Sequence, residues 1–126
     1  MLTELTHVSQ RQGEPKRRWF QSSDEDLIVW YTDDGSILGF QLCYDIRRGE
    51  RALTWLSGRG YSHERVDDGE VVGLGHKRTP VLVPDGAFAV DDVLRRFLSI
   101  SDGLPSDVTS FVERKIREYP KGGKET

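Results

Sequence analysis

The chain has 126 residues, a net charge of −3 and a pI near 5.6, so it carries no overall basic field of the kind a dedicated nucleic-acid binder uses. Its composition, 36% hydrophobic and 31% charged, suits one domain with a single core, and no apolar run approaches the roughly 20 residues that span a bilayer. A single cysteine, Cys43, excludes an internal disulfide and fits a reducing cytoplasm, and Met1 to Arg18 lacks the apolar segment of a secretory signal.

Residues 1–16 hold scattered polar side chains with little periodicity and are expected to be mobile, with any added strand falling near Leu5 to Val8. Arg17 to Ser22 reads as a first strand, and Ser22-Ser-Asp-Glu25 as turn chemistry. The strongest local signal follows. Leu27 to Thr32 and Ile37 to Tyr44 are β-rich runs separated by Asp34-Gly35, a hairpin dipeptide. A type I′ turn there needs positive φ at both residues. It would set Thr32 opposite Ile37, Val29 opposite Phe40 and Leu27 opposite Leu42. Leu27, Val29, Tyr31, Leu38, Phe40, Leu42 and Tyr44 would then share one apolar face, with Ile28, Trp30, Gly39, Gln41 and Cys43 on the other. A type I turn with Gly35 in a bulge would shift the pairing by one and bring Ile28 and Trp30 to the face of Leu38, Phe40 and Leu42. The first register gives the more uniform faces.

Gly49 is placed to close a second hairpin in a left-handed conformation. Arg51 to Ser57 is the next strand, Ser57-Gly-Arg-Gly60 a turn, and Tyr61 to Val66 a fifth strand, ended by Asp67-Asp-Gly-Glu70. Val71 to Arg78 is too glycine-rich to assign to an element. Thr79 to Val83, bounded by Pro80 and Pro84, reads as an edge strand, because proline cannot donate to the ladder. Val90, Val93, Leu94, Phe97 and Leu98 then fall at helical spacing, with Asp91–Arg95 and Asp92–Arg96 as outward i,i+4 pairs. Pro105 opens a second helix with the stripe Val108, Phe111, Val112, Ile116 and Tyr119, stopped by Pro120.

Strands first and helices last predict an α+β fold: an antiparallel meander of four to six strands, followed by two C-terminal helices packed on one face. The expected division is a mobile segment over 1–16, one domain over 17–119 and a disordered tail over 120–126. Two amphipathic stripes cover one sheet face but not two, which leaves the second face for function or a partner.

The most polar constellation is His63, Glu64, Asp67, Asp68, Glu70 and His76. His63, Asp67 and Glu70 are the catalytic candidates, since imidazoles and carboxylates run acid–base chemistry. Their spacing matches no metal-ligand pattern, so no metal and no cofactor are expected. Arg59 and Arg65, with Lys77 and Arg78, would form an anion pocket if their segments converged. Trp30 and Trp55, with Trp19, are candidate binding anchors. Trp19 beside Lys16, Arg17 and Arg18 raises single-stranded nucleic-acid stacking, but no RNP-like run is present. Cys43 in a strand reads as a small apolar side chain rather than a nucleophile.

Asp26-Leu-Ile-Val-Trp30, Gly39-Phe-Gln-Leu-Cys-Tyr-Asp45, Ala52-Leu-Thr-Trp55, Gly60-Tyr-Ser-His63 and Val66-Asp-Asp-Gly-Glu70, with Thr79-Pro-Val-Leu-Val83 and Asp85-Gly86, resemble a group of small hypothetical bacterial proteins. The resemblance covers about residues 17–119. It implies a shared fold and a bacterial, cytoplasmic setting, and brings no reaction, cofactor or catalytic residue. The sequence therefore points to a small binding domain rather than an enzyme, acting through the mixed face of its sheet on a protein partner or a second copy. A ligand pocket around His63, Asp67 and Glu70 is the alternative, and single-stranded nucleic acid the third reading.

Overall fold

The computed structural model describes residues 1–6, 10, 12–67, 81–84 and 88–120, excepting the side chains of Val66, Asp67 and residues 81–84. Seven strands form one antiparallel meander in chain order: β1 (Thr3–Glu4), β2 (Lys16–Gln21), β3 (Asp26–Tyr31), β4 (Ile37–Tyr44), β5 (Arg51–Leu56), β6 (Gly60–Asp67) and β7 (Val81–Pro84). A single turn, α1 (Ile46–Gly49), joins β4 to β5; α2 (Val90–Ser99) and α3 (Ser106–Arg117) follow the sheet. The α+β meander with C-terminal helices is as the sequence indicates, with the two-residue β1 added at one edge. At the other edge, β7 pairs with β6 and ends at Pro84, where a missing N–H costs the ladder nothing. The glycine-rich segment of residues 71–78 lies outside the described residues.

The central hairpin combines features of both registers considered from sequence. Val29 stands opposite Phe40, Leu27 opposite Leu42 and Trp30 opposite Gly39. The turn, however, is not type I′. Gly35 N–H donates to Thr32 O at 3.0 Å and Thr32 N–H to Ser36 O at 2.8 Å. Of the turn residues only Gly35 has positive φ, at 90°, so Asp33 and Asp34 form a type I turn closed by a left-handed glycine. That loop alone would slip the pairing by one. A bulge restores it: Tyr31 pairs with Ile37 and Trp30 with Gly39, leaving Leu38 as the extra residue. Ile37, not Leu38, therefore packs against the core beside Tyr31, and Thr32 loses its expected place opposite Ile37.

The core lies on one side of the sheet. Phe20, Leu27, Val29, Phe40, Leu42 and Leu53 are fully buried there. Against them pack Val93, Leu94 and Phe97 of α2 and Val108, Val112 and Ile116 of α3. Phe111 meets Phe40 edge-on at 6.4 Å and Trp55 at 5.6 Å. Of the i,i+4 pairs expected on α2, Asp92–Arg96 forms and Asp91–Arg95 is replaced. Arg95 bonds Asp92 at 2.6 Å rather than Asp91, and Arg96 reaches across to Asp45 at 2.7 Å as well as Asp92 at 3.1 Å. Leu2 is fully buried, and its N–H donates to Ile100 O at 2.9 Å. The core thus draws on the segment expected to be mobile, ahead of the boundary expected at residue 17.

Candidate functional site

Alternation along the strands sends every second side chain to the face away from the helices. The ladder aligns these residues in three rows. One end carries Arg17, Trp30, Gly39, Leu56 and Gly60. The middle row is Trp19, Ile28, Gln41, Thr54 and Ser62. The far end is Gln21, Asp26, Cys43, Ala52 and Glu64. Trp19, Ile28, Trp30 and Leu56 are each partly exposed and belong neither to the buried core nor to the apolar residues packed on it. No described helix packs its apolar stripe on this side. The Arg17 guanidinium lies 6.0 Å from the Trp19 ring, and Gln41 Nε2 donates to Thr54 Oγ1 at 2.9 Å.

The far row is acidic. Burial raises the Asp26 carboxyl, with Gln21 and Trp19 beside it opposing the rise. Burial also pushes the Cys43 thiol up to about 12, reinforced by Glu50 and Asp26. A thiol held so firmly protonated is a poor nucleophile, which agrees with its reading as a small apolar side chain.

The sequence candidates separate. Trp30 lies on the open face. Trp55 lies on the helix side, opposite Phe40, with Lys115 Nζ 4.0 Å from its ring centre. Arg59 is exposed in the β5–β6 turn, and Arg65 is exposed on β6 opposite Arg51 and Val83. His63 faces the core and is buried; its Nε2 hydrogen-bonds the Tyr44 hydroxyl, and its ring meets Phe88 at 4.9 Å. Asp67 lies four residues along the same strand, about 13 Å away at 3.3 Å per residue. Glu70, Asp68, His76, Lys77 and Arg78 lie outside the described residues. Among the described residues, no three His, Cys, Asp or Glu side chains are grouped to hold a metal ion. In the basic stretch beside Trp19, Arg18 is committed to Glu4 through two bonds at 2.9 and 2.7 Å.

Sequence reasoning missed a second polar cluster, at the end of the sheet beneath α2. A cavity of about 230 Å³ there is lined by Tyr44, Asp45, Arg51, Asp92 and Arg96 among others. Asp45 has φ of 56°, rare outside glycine, and its carboxylate anchors Arg96. The two guanidinium groups are matched by the two aspartates, so the cleft lacks the net charge that would capture an anion. Beside it, Glu25 is only 5% exposed and its Oε1 has no hydrogen-bond partner among the described residues. Burial pushes Glu25 up to about 7; Arg96 opposes the shift, and Asp24 and Asp45 add to it. The only sequence hint was an acid in a turn beside a buried strand.

A carboxyl raised in the folded state binds its proton more tightly folded than unfolded. Its stabilising contribution is complete below the ordinary value of 4.5 and is lost as pH rises through about 7. After discounting for solvent screening, stability should fall by about 2 kcal/mol across that window. Urea unfolding as a function of pH should show this decline, and Glu25→Gln should flatten it. An undiminished slope in the variant would assign the decline to another group.

No described helix is long and apolar enough to cross a membrane. No protein-family model, curated protein or solved structure matches the chain.

Proposed function

We propose that this chain is a protein-binding domain that docks its partner on the face of the sheet turned away from α2 and α3. One observation carries this reading: Trp19, Ile28, Trp30 and Leu56 form a partly exposed apolar band on a sheet whose α2 and α3 pack on the opposite side. Tryptophan in an apolar patch with polar residues around it is the composition of an interface centre and rim. The split of the aromatics weighs against nucleic-acid stacking, since Trp55 lies under α3 while Trp19 and Trp30 lie on the far face. The balanced charge of the cleft at Tyr44 gives it no net attraction for an anionic substrate. The lone, protonated thiol of Cys43 suits a cytoplasmic setting.

The test is Trp30→Glu. The variant should keep its fold, with stability within about 1 kcal/mol of the parent, because the indole is not part of the core. It should lose most of the binding of an apolar fluorescent dye that the parent shows. An unfolded Trp30→Glu variant, or a parent that binds no dye, would overturn the proposal.

A further inference from the structure

We propose that the occupant of this face is a second copy of the same chain, stacked face to face with the strands of the two sheets running head to tail. The inference rests on the binding-face reading above and names its partner.

A symmetric pair needs a patch complementary to itself, and charge decides how. Two stackings of one sheet on its copy are related by a two-fold axis. With the axis along the strands, like ends overlie each other. With the axis across them, opposite ends meet and each strand overlies its own copy. The open face has a basic end, with Arg17 on β2 and Arg59 in the β5–β6 turn. Its other end is acidic, with Asp26 on β3 and Glu64 on β6. The first arrangement reverses the strand order, which sets Arg17 against the partner's Arg59 and puts Asp26 over the partner's Ala52, one strand from the partner's Glu64. The second lays Arg17 over the partner's Gln21, one strand and about 5 Å from the partner's Asp26, and Arg59 over the partner's β6 towards the end that carries Glu64. The flanking loops carry the opposite sign at each end. Asp33 and Asp34 are exposed in the turn at the basic end, and Arg47 and Arg48 are exposed in α1 at the acidic end, so head-to-tail stacking also brings these together. The axis then runs along the middle row, where Trp19, Ile28, Gln41 and Thr54 meet their own copies.

Size sets the strength. Five strands about 4.8 Å apart and five residues at about 3.3 Å give a footprint of roughly 24 by 17 Å, or about 400 Å² in plane. That is well under the typical interface of about 800 Å² per partner, so the pair is reversible and forms only at high concentration. Sheets stacked in this way lie about 10 Å apart, close enough for the apolar band to exclude water.

Sedimentation velocity on the full chain, from low micromolar to submillimolar concentration, tests this. The parent should shift from monomer to dimer, and added salt should weaken the dimer. Arg17→Glu and Asp26→Lys should each weaken association about ten-fold or more, since each places like charges together twice per dimer. The double variant, with the charges exchanged, should recover it. Because Asp26 is partly buried, Arg59→Glu with Glu64→Lys repeats the exchange at the other side of the sheet. A parent that stays monomeric throughout overturns the second copy. So does a dimer indifferent to the single changes, or double variants no tighter than the singles. A monomer that still binds dye through Trp30 removes only the second copy as occupant and leaves the face to a different protein. A monomer that binds no dye removes both.

Discussion

Gly39→Ala should destabilise the domain by about 3 kcal/mol or more, among the largest losses from a single methyl group anywhere in the chain. A Cβ at this position would lie 2.3 Å from the backbone carbonyl oxygen of Trp55, 2.6 Å from Leu56 Cδ2 and 3.0 Å from Leu56 Cα. The leucine methyl can swing away. The carbonyl cannot, because it belongs to β5, which is laddered to β4 on one side and β6 on the other. Relief would require β4 and β5 to part at the point where the Leu38 bulge already perturbs the pairing. The measurement is urea denaturation: a midpoint well below the parent's with an unchanged slope marks a loss of stability without a change of fold. A loss under about 1 kcal/mol would mean that the strands separate easily there, and that the tight β4–β5 contact is not what the glycine serves.

The same position shows how far the sequence could be read. Alternation placed Trp30 across from Gly39, and the ladder agrees. The room that a missing side chain would leave there is taken up by the neighbouring strand. A one-dimensional pattern shows which residues face each other across one hairpin. It does not show how closely a third strand approaches. The turn illustrates the same limit. Asp34-Gly35 marked the hairpin, but a type I turn with only Gly35 left-handed and a compensating bulge at Leu38 give the same register as a type I′ turn with none. Local turn preferences leave such compensation undetermined, and only the burial of Val29 and Phe40 on one side decides it.

The helices were legible for the opposite reason. Val93, Phe97, Val108, Val112 and Ile116 repeat at helical spacing over enough turns to fix the buried stripe, and all five are buried. What α2 does at its outer edge was not legible. The reach of Arg96 to Asp45 joins residues 51 apart in sequence. The pairing of Tyr44 with His63 joins strands that are not neighbours in the sheet. His63 and Asp67, near in sequence, lie four residues apart on an extended strand, whose rise carries residues apart faster than a loop does. Trp55 looked like a surface anchor for a similar reason: its cover, Phe111 and Lys115, arrives from the last helix.

The second large effect separates two adjacent residues. Val29 is fully buried on the helix side, while Ile28, one position earlier, is partly exposed on the open face. A lysine at Val29 must bury an ammonium among Leu27, Phe40 and Leu42 with no described carboxylate in that layer, at a cost above about 4 kcal/mol. A lysine at Ile28 keeps its stem on the sheet and its charge in water, and should cost about 1 kcal/mol or less. Equilibrium unfolding of Ile28→Lys and Val29→Lys, side by side at a concentration where the chain is monomeric, is the most direct measurement of whether only one face of the sheet is sealed. Val29→Lys should fail to fold or unfold at far lower denaturant, while Ile28→Lys behaves nearly as the parent. If both variants lose the fold, the second face is packed inside a single chain and is not a surface on which a partner can dock.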